Sequence, residues 1–449
     1  MKLSAKDSAK NTSKSMPSDT ITTTAGTGLR GDFAVPGDKS ISHRVAILGA
    51  LAEGSMQVRN FLCSEDCKNT LKAMQQLGAK VEPSINPDTF TLSGVGMKPT
   101  APAQDIDCGN SGTGMRLMAG MLAALPFTSR LTGDASLCSR PMGRIITPLA
   151  EMGAELSACG EKPGCAPLCI NGKQLSPIEY RLPMASAQVK SAILLAGILT
   201  PGGATVHQPA ITRDHTERLF AHFGIPCSVS PDGLSISVTG PVIPRAKEIT
   251  IPGDISSAAF WLVAASIVPD SEITLRGVGL NPTRTAIIDV LLRMGADIQI
   301  TNRIDASEPL GDIIVRTAKK LKGTELQKAE IPNLIDEIPI LAVAAAFAEG
   351  STTIRHAAEL RVKESDRIAT TAGNLRAMGG SVEEYDDGMI ITGGAPLTGG
   401  VLDSYGDHRI AMSFLIAGLR AAGETTLLHC KNIDTSYPDF QSHLHRLLH

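Results

Sequence analysis

Residues 48–61 read LGALAEGSMQVRNF, and residues 71–82 read LKAMQQLGAKVE. The first stretch leads from an apolar helix of small residues through Gly54 into a β-like run, and the second is an amphipathic helix that ends in Leu-Gly-Ala. The same succession returns in residues 261–300 and 341–384. Across the chain it recurs about six times at a period of roughly 70 residues, which is longer than the periods of solenoid repeats. Each unit is therefore large enough to hold several strands and two helices.

The order of these segments predicts the fold class. Strands alternate with helices, which is typical of an α/β protein. One kind of helix is apolar all round and belongs inside, whereas the other is amphipathic and lies against a sheet with its polar face in water. A chain of 449 residues exceeds what one hydrophobic core holds. The sequence therefore predicts two domains of three repeats each, with buried helices wrapped by sheets.

Composition excludes several classes of function. Hydrophobic residues make up 43% of the chain and aromatic residues only 3%, which suits helices packed through small side chains. The formal net charge of -3 gives no reason to expect binding to nucleic acid or to an acidic membrane. No run of sequence approaches the roughly 18 apolar residues that span a bilayer. Any strong anion site must therefore be local.

The N-terminus and the cysteines indicate the compartment. Residues 1–25 are rich in Ser, Thr and Lys and have no apolar segment of a secretory signal. We predict a disordered tail there, with an organellar targeting segment as the alternative. The nine cysteines contain no Cys-x-x-Cys pair and no zinc-like spacing. They are interpreted as reduced thiols of an intracellular protein.

The stretch Pro36-Gly-Asp-Lys-Ser-Ile-Ser-His-Arg44 precedes the first apolar helix. Gly37 allows the backbone to approach a ligand closely. Lys39, Ser40 and Arg44 would then line the start of a helix whose free N–H groups favour an anion. The alternative is a capped helix with solvated charges.

Two glycine-rich stretches extend this pattern. Residues 109–116 read GNSGTGMR and open another apolar helix, so that donors around Gly112 could bind an oxyanion, with Arg116 one turn further on. In residues 133–144, Arg140 precedes a proline that fixes the chain. An arginine held in this way favours a bidentate anion contact, and a structural ion pair is the alternative.

Three further stretches add hydroxyl groups and charges. Residues 186–190 open an apolar helix with small hydrogen-bonding groups that suit a polyol ligand, or with an ordinary serine N-cap. Asp336 and Glu337 stand directly before a helix that is apolar all round, where an acidic residue is either a cap or a catalytic base. Residues 361–367 and 407–409 bring more charges of both signs.

Together these motifs resemble those of one family, the 5-enolpyruvylshikimate-3-phosphate synthases. In chain order they are PGDKSISHR, GNSGTGMR, GDASLCSRPMGR, PMASAQVKSA, TRDHTE, DEIPILAVAAAFAEG, RVKESDR and DHRIAM. The resemblance runs from about Gly31 to the C-terminus. It implies the enolpyruvyl transferase fold, an inverted α/β barrel of two domains with three βαβαββ-type repeats in each.

The resemblance also implies domain boundaries. The chain would cross between domains near Pro36 and again near Pro252. Residues 26–36 and 252–449 would form one discontinuous domain, residues 37–251 the other, and residues 1–25 the tail. The active site would lie in the cleft between the two domains.

The implied reaction transfers the carboxyvinyl group of phosphoenolpyruvate to the 5-hydroxyl of shikimate 3-phosphate and releases phosphate. It belongs to the shikimate pathway, which leads to chorismate and the aromatic amino acids. Two phosphates of about -1.5 to -2 each and two carboxylates demand several Arg and Lys in one cleft. The predicted partners are these two substrates, with glyphosate as an inhibitor to test and without nucleic acid or membrane. No metal or organic cofactor is implied, and the protein is expected to be a cytoplasmic monomer.

The resemblance assigns the acid/base roles to Asp336 and Glu364, with Lys39 and Lys363 near enough to share them. It does not say which group gives or takes each proton. The implied shikimate 3-phosphate site consists of Lys39, Ser40, Arg44, Ser186, Ala187, Gln188, Arg213, Asp336 and Lys363. The implied phosphoenolpyruvate site consists of Lys39, Gly112, Arg140, Gln188, Glu364, Arg367 and Arg409.

The sequence departs from the familiar family pattern in two places. Leu117 stands where many members have proline, and Thr435 and Ser436 stand where they have a lysine before an aromatic-Pro-Asp triplet. These departures resemble the divergent second class of the family. Glyphosate sensitivity is left open, since Gly112 matches the sensitive type and its surroundings do not. Lys431 is either a replacement for the missing cation or a solvated surface residue.

The sequence leaves two alternative functions. UDP-N-acetylglucosamine 1-carboxyvinyltransferase shares the fold, but it usually places a reactive cysteine at the position of Ala135, whereas Cys138 lies closer to Arg140 here. A non-catalytic binding protein on the same scaffold would have no reason to keep the charged residues of the site together.

Overall fold

The computed structural model describes residues 19–26 and 28–448. The strands are β1 (Ile21–Thr24), β2 (Arg30–Ala34), β3 (Ser55–Arg59), β4 (Lys80–Pro83), β5 (Phe90–Ser93), β6 (Ile106–Asp107), β7 (Thr128–Thr132), β8 (Glu155–Ala158), β9 (Leu168–Asn171), β10 (Ile178–Arg181), β11 (Ala204–His207), β12 (Cys227–Val229), β13 (Ser235–Val238), β14 (Ile249–Thr250), β15 (Glu272–Gly279), β16 (Asp297–Ile304), β17 (Leu310–Arg316), β18 (Gly350–Ile354), β19 (Ser381–Tyr385), β20 (Gly388–Gly393), β21 (Val401–Asp403) and β22 (Glu424–Leu428). The helices are α1 (Lys39–Leu51), α2 (Glu65–Gln76), α3 (Gly112–Ala123), α4 (Gly143–Glu151), α5 (Ala187–Gly197), α6 (His215–His222), α7 (Ile255–Ile267), α8 (Ala286–Met294), α9 (Ile331–Leu334), α10 (Ile338–Phe347), α11 (Arg367–Ala377), α12 (His408–Gly418) and α13 (Phe440–Leu448).

These strands form six sheets of three or four strands. In the sheet β6-β7-β9-β8 the leading pair β6 and β7 is parallel, and the other pairs are antiparallel. A buried helix, α3, joins the parallel strands, and the amphipathic helix α4 precedes the antiparallel hairpin. The sheet β10-β11-β13-β12 repeats this plan with α5 and α6. The predicted repeat of a βαβαββ unit is thus confirmed.

The buried helices divide between two hydrophobic cores. Helices α1, α3 and α5 belong to one core, and α7, α10 and α12 to the other. We call these the first and the second core. Small residues allow the helices to touch, since a Cβ added to Gly120 of α3 would lie 2.1 Å from the carbonyl oxygen of Ala192 in α5. In the part of the chain that the structure describes, no helix is long and apolar enough to cross a bilayer.

The two cores exchange their leading strands. Strand β2 pairs in parallel with β15 of the second core, although α1 follows it in the first. Strand β14 pairs in parallel with β3 of the first core, although α7 follows it in the second. The chain therefore passes from one core to the other between β2 and α1, and returns between β14 and α7. This exchange supports the domain boundaries at residues 36 and 252, which we keep as a proposal.

Both passages carry the tripeptide Pro-Gly-Asp, in residues 36–38 and 252–254, and we call these the crossing segments. The backbone N–H of each aspartate donates to the carbonyl oxygen of the other segment's proline, at 2.9 and 2.8 Å. A Cβ added to Gly37 would lie 1.9 Å from the carbonyl oxygen of Asn60. Only glycine therefore fits at this crossing.

The prediction of a disordered tail through residue 25 is wrong for its described part. Strand β1 pairs antiparallel with β22 from Ile21 to Thr24. The side chain of Thr23 is buried, and its hydroxyl donates to the carbonyl oxygen of Leu415 at 3.2 Å. The threonines that suggested a polar tail are β-branched residues that favour a strand. Residues 1–18 of the predicted tail lie outside the described residues.

The interpretation of all nine cysteines as reduced thiols is also wrong for one pair. Cys159 and Cys169 form a disulfide across the hairpin of β8 and β9, with their Cα atoms 6.0 Å apart. That separation lies within the usual range for a disulfide. Pairing of neighbouring strands brings the two residues together, and their spacing in the sequence gave no sign of it. The other cysteines are free.

Candidate active site

Asp336 meets arginines from both cores. It does not cap α10, since the N-cap position belongs to Glu337 and no side chain caps this helix. Its carboxylate instead accepts hydrogen bonds from Arg213 at 2.6 Å and from Arg367 at 3.3 Å. Arg409 donates to its carbonyl oxygen at 3.0 Å. Asp336 is therefore held by side chains, and the interpretation of it as a helix cap is wrong.

Arg367 is 1% exposed and binds three carboxylates at once. Its Nε donates to Asp407 at 2.8 Å, and its Nη2 donates to Glu364 at 2.5 Å. The third contact is the one from Nη1 to Asp336. A planar guanidinium with five N–H donors suits this arrangement, which a lysine could not reproduce.

Glu364 and Arg140 face each other across the cleft at 3.5 Å between Oε1 and Nη1. Arg140 also donates to the carbonyl oxygen of Asn110 at 3.3 Å and to the hydroxyl of Ser136 at 3.1 Å. The glycine-rich loop therefore orients this guanidinium. The ion pair considered as an alternative for Arg140 exists, and its partner belongs to the opposite wall.

The arginines keep both acid/base candidates ionised. Burial raises the pKa of Asp336, but the cations around it, led by Arg409 and Arg213, hold it well below its usual value. Burial likewise raises the pKa of Glu364, but the cations around it, led by Arg367 and Arg140, hold this pKa well below its usual value as well. At neutral pH both groups are therefore carboxylates.

Lys39, the first residue of α1, is bound from three directions. Its ammonium lies 2.5 Å from a carboxylate oxygen of Asp66 and donates to the carbonyl oxygen of Thr435 at 3.2 Å. Its backbone N–H donates to Asp254 at 3.3 Å. Burial lowers the pKa of Lys39, but the acidic groups around it, led by Asp66, outweigh burial and the pKa is raised. Lys39 is therefore a firmly held cation.

Arg44 is buried, and its hydrogen-bond partners are all neutral oxygen atoms. It donates to the hydroxyls of Ser191 at 2.7 Å and Thr216 at 2.8 Å, and to the carbonyl oxygen of Ser40 at 2.9 Å. Burial lowers the pKa of Arg44 to about 10. Within residues 19–26 and 28–448 it forms no ion pair with a carboxylate. Its charge is therefore available to an anion.

The glycine-rich loop of residues 109–116 brings one more cation, Arg116, to the same wall as Arg140. Arg116 donates to the side-chain oxygen of Gln188 at 2.8 Å, which links α3 to α5. A Cβ added to Gly112 would lie 2.8 Å from a nitrogen of Arg116 and 3.3 Å from one of Arg140. Glycine at this position therefore lets two guanidinium groups approach the helix start.

The remaining predicted residues have simpler surroundings. Ser186 caps α5 by accepting the N–H of Val189 at 3.4 Å, as its alternative interpretation proposed, and Ala187 begins the helix. Lys363 donates to Glu359 at 3.2 Å and lowers the pKa of both acid/base candidates. Lys431 is exposed, as the solvated alternative requires.

Sequence reasoning gave no role to three groups of this site. Asp66 pairs with Lys39 but lies in α2, outside every motif. Asp407 is fully buried against Arg367 and caps α12 by accepting the N–H of Arg409 at 2.9 Å. Burial lowers the pKa of His408 to about 3, helped by the charge of Lys39. The motif Asp-His-Arg was the only sequence signal for the last two.

A buried histidine behind the site gives the first testable prediction. His43 contacts the hydroxyls of Thr70 at 2.8 Å and Ser111 at 3.2 Å, and burial with nearby Lys39 lowers its pKa to about 3. Below pH 6.5, His43 is protonated in the unfolded chain but stays neutral in the folded chain. The free energy of unfolding therefore falls as the pH falls towards 3. At pH 5.5 this costs about 1.4 kcal/mol.

Between pH 7.5 and 5.5, the free energy of unfolding of the wild type should therefore fall by about 1.4 kcal/mol more than that of His43→Gln. Urea unfolding at the two pH values measures this difference. His445→Gln, at an exposed position of α13, is the control and should keep the wild-type pH dependence. An unchanged dependence in His43→Gln would contradict the prediction.

Comparison with known sequences identifies relatives over nearly the whole chain. A family model described as EPSP synthase (3-phosphoshikimate 1-carboxyvinyltransferase) matches residues 23–444. A 3-phosphoshikimate 1-carboxyvinyltransferase of Akkermansia muciniphila is 62% identical over 427 residues, which cover 94% of this chain and 98% of the relative. One from a Synechococcus species is 51% identical over 435 residues, which cover 96% of this chain and 97% of the relative.

Solved structures agree with this result. EPSP synthase from Acinetobacter baumannii matches with a TM-score of 0.85 at 45% identity, over 95% of this chain and 98% of that one. The enolpyruvyl transferase NikO from Streptomyces tendae matches with a TM-score of 0.76 at 19% identity, over 96% of this chain and 98% of that one, which bears on the fold alone. The predicted enolpyruvyl transferase fold, an α/β inverted barrel of two domains, is confirmed. This chain belongs to the EPSP synthase family.

Proposed function

We propose that the chain transfers the carboxyvinyl group of phosphoenolpyruvate to the 5-hydroxyl of shikimate 3-phosphate in this cleft and releases phosphate. Family membership supplies the activity, 3-phosphoshikimate 1-carboxyvinyltransferase of the shikimate pathway. One observation supports the location of the site. Arg213 on one wall pairs with Asp336 on the other, Arg140 pairs with Glu364, and the charge of Glu364 raises the pKa of Lys39.

The charges of the cleft suit the two substrates. The substrates bring two phosphates of about -1.5 to -2 each and two carboxylates. We assign shikimate 3-phosphate to Lys39, Ser40, Arg44, Ser186, Ala187, Gln188, Arg213, Asp336 and Lys363. We assign phosphoenolpyruvate to Lys39, Gly112, Arg140, Gln188, Glu364, Arg367 and Arg409. Arg44 supports the first assignment, because a buried guanidinium held by neutral oxygens is free to bind an anion.

Substrate binding changes the proton affinity of Glu364. Arg140 and Arg367 hold its pKa down. When the anionic groups of phosphoenolpyruvate bind these two guanidinium groups, part of their charge is neutralised and the pKa of Glu364 rises. Glu364 then carries a proton that it can donate. In the free protein at neutral pH, the two arginines keep it ionised.

The two carboxylates divide the proton transfers on this basis. Glu364 donates a proton to C3 of phosphoenolpyruvate, the 5-hydroxyl oxygen bonds to C2, and Asp336 takes the hydroxyl proton. In the second step C3 returns its proton to Glu364, and the bond from C2 to the phosphate oxygen breaks. The proton taken from the hydroxyl finally leaves with the phosphate. Lys39 and Lys363 stabilise the charge that develops on the phosphate.

Phosphate release by the purified protein tests the proposed function. We expect release from phosphoenolpyruvate with shikimate 3-phosphate as acceptor, and none with UDP-N-acetylglucosamine. Mixtures without an acceptor give the background rate. Release with the nucleotide sugar alone would transfer the assignment to the rival enzyme, which the relatives do not favour. Release with neither acceptor would leave a binding protein.

Three narrower proposals accompany this one. Glyphosate, which carries a phosphonate and a carboxylate, would compete with phosphoenolpyruvate for the same arginines. Gly112 and Leu117 leave the sensitivity to glyphosate open, and the phosphate-release assay measures it. The second proposal is that the protein is a monomer, which size-exclusion chromatography with light scattering tests. Substrates with several charges do not cross membranes unaided, which supports the cytoplasm as the location.

A further inference from the structure

Arg284 lies just before α8, outside every motif of the site, and is 2% exposed. Its guanidinium contacts both crossing segments. Nη1 donates to Asp38 at 2.9 Å, and Nη2 donates to Asp254 at 3.3 Å. One side chain thus joins the two places at which the chain passes between cores.

Each aspartate bound by Arg284 also caps a helix. Asp38 accepts the N–H of Ile41 at 2.9 Å and so begins α1, whose first residue is Lys39. Asp254 accepts the N–H of Ser256 at 2.8 Å and so begins α7. A shift of this guanidinium would therefore shift the starts of two helices, one in each core.

Two further contacts lead from Arg284 to the carboxylate wall and to the arginine that faces it. Nη2 donates to the hydroxyl of Ser256 at 2.7 Å, and that hydroxyl donates to Glu337, the neighbour of Asp336. Nη1 lies 3.2 Å from Nε2 of His215, two residues after the Arg213 that binds Asp336.

The chemistry of this position requires arginine. Two buried carboxylates stand together at the crossing, and like charges repel unless a cation lies between them. The planar fork of a guanidinium can bind both with its separate nitrogens, and a lysine ammonium is a single point. The histidine at the crossing is itself paired, since Nδ1 of His215 lies 2.7 Å from Glu308.

We infer that Arg284 is a positioning residue of the reaction: by joining the crossing segments it sets the distance between the two walls. It thereby places Lys39 and Arg213 relative to Asp336, without touching a substrate. The inference rests on the proposed roles of those three residues. Errors of placement are costly, since a shift of about 1 Å can cost about 100-fold in rate.

Arg284→Lys tests this inference, because it keeps the positive charge and removes the fork. We expect kcat in the phosphate-release assay to fall about 100-fold, with a smaller change in KM for shikimate 3-phosphate, whose binding groups lie mostly on one wall. Arg293→Lys is the matched control on α8, where Arg293 forms an exposed ion pair with Glu330. It should keep wild-type kinetics.

Asp254→Asn completes the test. Asparagine still caps a helix but carries no charge for Arg284 to bind. If Arg284 acts through Asp254, the two substitutions are not additive. Asp254→Asn then lowers kcat much less in the Arg284→Lys variant than it does in the wild type. A merely structural role would lower the melting temperature, and the folded variant would keep its kcat.

Folded Arg284→Lys with kcat within about threefold of the control, well inside the loss expected from misplacement, would overturn the inference. If that variant does not fold, Asp38→Asn and Asp254→Asn decide, and wild-type kcat in both would overturn it. Failure of the proposed function is a separate result, because the wild-type protein would then release no phosphate with shikimate 3-phosphate.

Discussion

Asp336→Asn is expected to lower kcat by at least about 100-fold while both substrates still bind, the usual scale of acid/base catalysis. The amide has the shape of the carboxylate and retains an oxygen for Arg213, but it cannot take the hydroxyl proton. Removal of the negative charge also leaves Arg213 and Arg409 more available to the substrate phosphate. KM should therefore not rise.

Steady-state phosphate release, with each substrate varied in turn, measures both parts of this expectation. Asp297→Asn is the control, since Asp297 is 56% exposed in its side chain and lies 4.0 Å from its nearest cation, Arg316. Near-normal turnover in Asp336→Asn would remove this residue from the mechanism. A raised KM with unchanged kcat would make Asp336 a binding group alone.

Arg367→Met is expected to destabilise the second core by about 3 to 5 kcal/mol, the usual result of removing one partner from a buried ion pair. Three carboxylates share this guanidinium. Arg367 is the nearest cation to Asp407 and to Glu364, whereas Asp336 also has Arg213 at a shorter distance. For a domain of this size the melting temperature should fall by roughly 10 °C. The variant should also lack measurable turnover.

Thermal unfolding followed by circular dichroism checks the predicted loss. Arg316→Met is the control, because Arg316 pairs with Glu272 at the surface, where an ion pair contributes about 1 kcal/mol or less. The pKa values of the three carboxylates rise when Arg367 is absent, so the deficit relative to the wild type should shrink as the pH falls. A melting temperature equal to that of the control would show that the buried charges do not depend on Arg367.

The repeats of the fold could be predicted from sequence because their signals are local. Apolar helices, glycines at turns and amphipathic helices each lie within a dozen residues. The pairing of β1 with β22 is not local. Because threonine occurs in disordered tails as well as in strands, the sequence of β1 did not predict this pairing. The disulfide of Cys159 and Cys169 likewise depends on the pairing of two strands, which the spacing of cysteines does not reveal.

The site could be predicted only in part, and for a related reason. Motifs and family resemblance named the residues, but no spacing predicts that Arg213 binds Asp336, which is 123 residues away. Asp66 was missed because an aspartate in the first turn of an amphipathic helix is common at any helix start. Arg284 was missed because its partners belong to segments that only the fold brings together.

The exchange of leading strands has a consequence for synthesis on the ribosome. By the time residue 251 has emerged, every strand of the first core exists, β14 included, and that core can fold. Strand β2 has emerged earlier still, yet its partner β15 begins only at Glu272. An unpaired strand edge invites association with other chains. On the ribosome, β2 therefore stays unpaired beside the folded first core until β15 has been synthesised.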